Sequence, residues 1–327
     1  MIQFQYERAA TTKAAVNALA NSSNAKFIAG GTNLVDLMKR NITAPTKLVD
    51  INQVPLKDIQ HQNDKISIGA LALNSRVAEH KLIIEKHPLL SQALNAGASP
   101  QIRNMATVGG NMMQRTRCHY FYDTALPCNK REPGSGCGAL EGLNRMHAVF
   151  GTSEQCIAVH PSDMCVALVA LDATVLVAGP KGERRIPFEE FHRLPGNQPE
   201  KDNTLQNNEM IISVEIPDNG FSKNSHYMKV RDRASYAFAL VSVAAALNLD
   251  GKVIKEARLA MGGVAHKPWR LKEAEKALIG KPATEETFRQ AAEIAMQGAK
   301  AFKYNAFKLK LGPNVIVEAL KNAANLA

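Results

Sequence analysis

The sequence has no stretch of eighteen uninterrupted apolar residues; its best run, Val166 to Ala178, carries Asp172. A bilayer-spanning helix needs about twenty such residues, so no membrane span is expected. The opening Met-Ile-Gln-Phe-Gln-Tyr-Glu lacks a basic segment followed by an apolar one, and no export address is expected in the chain itself. The net charge is +10 and the pI about 9.4, yet no run of five Lys or Arg occurs and no aromatics interleave with them. That dispersal argues against a nucleic-acid partner. It suits docking to an acidic protein or holding an anionic cofactor. Neither G-x-G-x-x-G nor a Walker A pattern is present, so a nicotinamide-type dinucleotide fold is unsupported.

Cysteine is scarce and unevenly placed: all five lie between Cys118 and Cys165. Four follow the spacing Cys118-x9-Cys128-x8-Cys137-x18-Cys156 in a Gly/Pro/Arg-rich stretch. A disulfide framework belongs to small secreted domains with little core, which a chain of 327 residues is not. Structural zinc usually shows short C-x2-4-C knuckles, and none occurs. Iron–sulfur spacing is looser, and Arg115, Arg117, Lys130, Arg131 and Arg145 stand by to offset the charge of four thiolates. Spacing alone leaves an iron–sulfur cluster, zinc and unliganded thiols open. Cys165 sits in Met164-Cys-Val-Ala-Leu-Val-Ala-Leu171 and reads as a small buried thiol. His119, His147 and His160 flank the cysteines; they are candidate metal ligands or proton relays, although loop histidines are more often solvated or hydrogen-bonded. His266, beside Pro268 and Trp269, reads as structural.

The pattern along the chain predicts strands at Ile2–Tyr6, Lys26–Ala29 and Lys47–Asp50, with helices at Thr12–Ala20 and Asn33–Lys39 between them. A second unit follows: a strand at Lys65–Gly69, helices at Ser75–Lys86 and Leu89–Ala96, the cysteine loop, a helix at Asp163–Leu171, and strands at Ala173–Ala178 and Met210–Ile216. Gly196 to Asn208 reads as a surface loop. Composition shifts around Pro217–Ser225. Beyond it come strands at Tyr227–Val230, Ala239–Leu249 and Val253–Gly262, with an Asp250-Gly251 hairpin. Helices at Leu271–Ile279, Glu285–Ala301 and Gly312–Leu326 end the chain.

Ala29-Gly-Gly-Thr-Asn-Leu34 leaves an apolar strand, and Thr107-Val-Gly-Gly-Asn111 repeats its chemistry about eighty residues later. Glycines let a backbone approach an anion, and successive N–H groups form a nest for phosphate oxygens. Either loop alone also reads as a tight turn; together they read as a two-sided clasp for a diphosphate. Phe27-Ile-Ala-Gly-Gly-Thr-Asn-Leu34, Ile102-Arg-Asn-Met-Ala-Thr-Val-Gly-Gly-Asn111, Pro161-Ser-Asp-Met164 and Gly262-Gly-Val-Ala-His-Lys-Pro-Trp-Arg270 resemble, in order, the signatures of the FAD-binding medium subunit of the molybdenum hydroxylases, the xanthine and carbon monoxide dehydrogenase family. The cysteine insertion, with Arg115-Thr-Arg-Cys-His-Tyr-Phe-Tyr-Asp123 and Pro127-Cys-Asn-Lys-Arg131, is similar to that of periplasmic aldehyde oxidoreductases, where it binds a [4Fe–4S] cluster.

The resemblance implies an α+β fold. A two-subdomain FAD-binding domain of the vanillyl-alcohol-oxidase (PCMH) type would span 1–222, with subdomains about 1–52 and 53–222 and the iron–sulfur insertion about 115–158. A C-terminal domain of antiparallel sheet plus helices would span 223–327. It further implies that Lys26, Phe27, Ile28, Ala29, Gly30, Gly31, Thr32, Asn33 and Leu34 wrap the FAD diphosphate. Thr107, Gly110 and Asn111 would hold its other side, and Asp163 would bond the ribityl chain or ring edge. Met210 and Ile211 would lie against adenine, Lys229 would approach the isoalloxazine, and Tyr236 would stack on it or gate it, unless it is a core aromatic at a strand start. Cys118, Cys128, Cys137 and Cys156 would ligate the [4Fe–4S] cluster. The implied function is an electron-transfer flavoprotein subunit with no catalytic residue of its own. It would pass electrons to an external acceptor inside a heterotrimer with a molybdenum-cofactor large subunit and a [2Fe–2S] small subunit. The implied location is the periplasm, reached on a partner's signal, or otherwise the cytoplasm. The alternative from another class is a zinc-stabilised, non-enzymatic binding or scaffold module.

Overall fold

The computed structural model describes every residue except Asn21, Ser23 and Ala327. Its first layer is a parallel sheet of β1 (Gln5–Arg8), β2 (Ala25–Ile28) and β3 (Lys47–Asp50), ordered β1-β3-β2. Parallel neighbours need a crossover, and the helix Thr12–Ala20 supplies one. Thr11 Oγ1 accepts from the Ala14 amide (3.1 Å) at its start, and Ala15, Val16, Ala18 and Leu19 bury its apolar stripe. The first strand lies three residues later than the alternation of Ile2, Phe4 and Tyr6 suggests. All four β1 residues are exposed, so pairing of Gln5–Arg8 with Lys47–Asp50 sets its position, not a buried face.

The second sheet is antiparallel, ordered β4-β5-β8-β6-β7. Its members are β4 (Ile59–Gln62), β5 (Lys65–Gly69), β6 (Thr174–Gly179), β7 (Gly182–Pro187) and β8 (Met210–Pro217). The third, ordered β12-β11-β10-β9, is also antiparallel: β9 (Ser225–Val230), β10 (Val241–Asp250), β11 (Val253–Gly262) and β12 (Trp269–Arg270). Side chains of β10 alternate between two cores, as a strand's period of two requires. Val241, Val243, Ala245 and Leu247 face the three C-terminal helices, while Ala244 and Ala246 face the core shared with the second sheet. Between these sheets lies the helix Asp163–Ala170, all eight of whose residues are buried. A helix apolar on every side belongs in such a position.

Three expected elements differ. The helix over 75–86 is two, Asn74–Glu79 and Lys81–Lys86, separated by His80 in extended backbone. The helix from Glu285 stops at Ala295, and Gly298 turns the chain at φ +79°. The last helix runs Phe307–Ala323 with Pro313 inside it, because buried Lys308 anchors a turn upstream of the proline.

Candidate functional site

A cavity of about 810 Å³ opens between the first sheet and the second, within the range of cofactor pockets. All of Lys26 to Leu34 line it, with Thr107, Gly110, Arg115, Met210 and Ile211. Gly30 is required by close approach, since a Cβ there would sit 1.9 Å from the Met105 carbonyl oxygen. Gly31 is required by its backbone, at φ +71°. The amides of Gly30, Gly31, Thr32 and Asn33 have no acceptor among the described residues, so consecutive donors are left for an anion. The second glycine pair works differently from the expected open loop. It is the first turn of a helix, Val108–Met112, capped by Thr107, whose Oγ1 accepts from the Gly110 amide (3.2 Å). The Val108, Gly109 and Asn111 amides are also paired, with Ala72, Ala70 and Thr107 carbonyls. This side therefore offers a wall, and the free donors come from the first loop. The two asparagines brace the walls: Asn33 Oδ1 accepts from the Arg115 amide (2.9 Å), and Asn111 Oδ1, outside the large cavity, accepts from Ser162 Oγ (2.6 Å).

A second cavity of about 140 Å³ is lined by Arg117, Cys118, His147, His160, Asp163 and Phe238, among others. Ser162 caps the helix that starts at Asp163, accepting from the Cys165 amide (3.1 Å). The Asp163 carboxylate joins the two domains: Lys229 Nζ donates to Oδ2 (2.8 Å) and Tyr227 OH to Oδ1 (2.7 Å). Burial and the Asp163 charge hold the Tyr227 hydroxyl well above its ordinary value, so it stays a donor. Tyr227 was missed, although it shares the inward face of β9 with Lys229, two residues on. Tyr236 is no core aromatic: it is 57% exposed, at φ +51°, in the loop after β9, and lines neither cavity.

Cys118, Cys128, Cys137 and Cys156 line one small cavity, with Cys128 and Cys137 paired in an antiparallel bridge. Burial pushes the Cys118 thiol up to about 12 and Cys156 up to about 11; thiolates here need a metal's charge. Cys165 is apart, wholly buried in its helix. It lies near His160 and His192, but the His160 Nδ1 accepts from the Ser162 amide (3.4 Å), which leaves the neutral ring's proton on Nε2 and no lone pair there for a metal. The cysteine loop is tied to the large cavity by Asp202. Lys130 and Arg115 both pair with its carboxylate. Burial opposes its charge, but these two cations hold Asp202 well below the usual carboxylate range.

A nest of free amides beside a cofactor-sized cavity, and a buried carboxylate–lysine pair beyond it, define a flavin-binding subunit joined to a second, smaller domain. The chain belongs to the FAD-binding subunits of the molybdopterin dehydrogenases, the molybdenum hydroxylase family. Residues 2–219 match the FAD-binding domain in molybdopterin dehydrogenase, and residues 225–322 match the CO dehydrogenase flavoprotein C-terminal domain. It is 47% identical over 326 residues to the aldehyde oxidoreductase FAD-binding subunit PaoB of Escherichia coli, covering 99% of each chain. To the carbon monoxide dehydrogenase medium chain of Hydrogenophaga pseudoflava it is 25% identical over 90% of this chain and 86% of that one. The solved carbon monoxide dehydrogenase of that organism superposes with a TM-score of 0.78 at 25% identity, covering 100% of both chains. A zinc-stabilised scaffold module is not favoured by these relatives.

Proposed function

We propose that this chain is the electron-transfer flavoprotein subunit of a molybdenum-containing aldehyde oxidoreductase, in which an aldehyde is oxidised to a carboxylic acid on a partner subunit. Full-length likeness to the Escherichia coli aldehyde oxidoreductase subunit supports the substrate class. FAD supplies the two-electron to one-electron exchange that links such a partner to an external acceptor. This chain's residues bind and orient it. The amides of Gly30 to Asn33 would meet the diphosphate, Met210 and Ile211 would meet the adenine side, and the Asp163–Lys229 pair would fix the far end.

The finer part of the reading is a [4Fe–4S] cluster on Cys118, Cys128, Cys137 and Cys156. The single observation that carries it is that these four thiols, and not Cys165, line one cavity. The partners in this reading are a molybdenum-cofactor large subunit and a [2Fe–2S] small subunit, with export to the periplasm on a signal borne by one of them. Changing any of the four cysteines to Ser should remove roughly four irons per chain, while Cys165→Ala should remove none. Full iron in Cys137→Ser would sink the ligand set. Co-expression with both partners should yield aldehyde turnover in the periplasmic fraction; an active complex retained in the cytoplasm would overturn the location alone.

A further inference from the structure

We propose that His147 tunes the reduction potential of the cluster by donating a hydrogen bond from its Nε2–H to the Cys118 sulfur. The proposal rests on the four-cysteine reading above. His147 Nε2 lies 3.1 Å from Cys118 Sγ. A ligated sulfur carries no proton, so the hydrogen in this contact belongs to the ring. Nδ1 is buried with no partner, so nothing holds the ring's proton at that end.

The ring is fixed rather than incidental. It is 3% exposed, packed edge-on to His119 at 6.1 Å and tilted against Tyr120 at 6.3 Å. Its own carbonyl accepts from Lys308 Nζ (2.8 Å) and Asn305 Nδ2 (3.2 Å), both wholly buried residues of the C-terminal domain. Lys308 has no carboxylate partner among the described residues; its other acceptor is the Gly263 carbonyl (2.6 Å).

Among the described residues Cys118 is alone of the four in having a side-chain donor at its sulfur. Cys156 Sγ accepts from the Ala158 amide (3.4 Å). Cys118 and His147 also line the cavity that contains Asp163. Hydrogen bonds to cluster sulfurs withdraw negative charge and favour the added electron. His147 thus makes the cluster easier to reduce.

The test is an EPR-monitored redox titration of the purified complex and of His147→Phe and His147→Gln. Iron and FAD content should stay near wild type. In His147→Phe the midpoint should fall by a tenfold change in the one-electron equilibrium, about 59 mV. His147→Gln, whose amide nitrogen reaches the same place, should recover most of that shift. In dithionite-reduced wild-type protein with 15N-labelled histidine, pulsed EPR should show a nitrogen coupled to the cluster. An unchanged midpoint at full iron in His147→Phe, or no histidine coupling in the wild type, overturns the proposal. So does loss of iron from both variants, which would make His147 a support of the loop only. Wild-type protein without four irons would instead overturn the cluster reading beneath it.

Discussion

Gly30 and Gly31 are adjacent and needed for different reasons. One lets the backbone pass against the Met105 carbonyl, and the other takes a left-handed conformation that side chains rarely adopt. Together they turn the following amides toward the cavity. Gly31→Val should therefore fold and yet lose at least tenfold in FAD affinity, a change of about 1.4 kcal/mol; flavin titration of the apoprotein measures it, and unaltered affinity would place the anion site elsewhere. At this scale the sequence was informative where chemistry is rare. A Gly-Gly pair after an apolar strand, and four clustered cysteines, stand out from any background. Tyr227 and Asp202 did not, because nothing local distinguishes a buried tyrosine or carboxylate from a solvated one, and Lys130, expected to offset the thiolates, pairs with Asp202 instead. Their roles come from contacts with residues far along the chain.

Elements were legible where they carry a buried face. The helix Thr12–Ala20 and the strands Lys47–Asp50, Lys65–Gly69 and Val253–Gly262 lie where the pattern puts them. Three strands escaped notice: β4 and β7, the edges of the second sheet, and the two-residue β12 at an edge of the third. The residues of β4 and β7, Ile-Gln-His-Gln and Gly-Glu-Arg-Arg-Ile-Pro, are mostly exposed and charged or polar, which protects an edge and erases alternation. The loop over 196–208 was expected as a surface connection. It also walls the large cavity and holds Asp202 between Lys130 and Arg115. Removing one partner of a buried pair costs about 3–5 kcal/mol. Lys130→Met should lower stability by that order in urea unfolding and weaken FAD binding as well, since the freed loop lines its cavity. A stable variant with unaltered FAD affinity would contradict this coupling.

Across the molecule, several buried histidines are held neutral. His87, His192 and His266 are each pushed by burial from about 6.5 down to about 4. For a histidine depressed in the folded state, the unfolded chain takes up protons first as pH falls. The stability they contribute is thus full above about pH 6.5 and lost progressively toward pH 4, at about 1.4 kcal/mol per pH unit for each histidine. Urea midpoints at pH 7 and pH 5 should differ accordingly. His87 has no hydrogen-bond partner on either ring nitrogen, so His87→Leu should flatten the slope without loss at pH 7; an equally steep variant would mean other groups dominate. The two-domain plan was readable from the composition shift near Pro217–Ser225 because the long apolar strands begin there. How the domains meet, through Asp163, Tyr227 and Lys229, was not, since that contact joins residues more than sixty positions apart.

If one chain holds both a flavin and a cluster on four cysteines, as proposed, flavin, iron and zinc analysis of the purified protein should give one FAD and roughly four irons per chain, with negligible zinc. A stoichiometric zinc content without iron, or protein that folds and purifies without retaining or rebinding FAD, would contradict it.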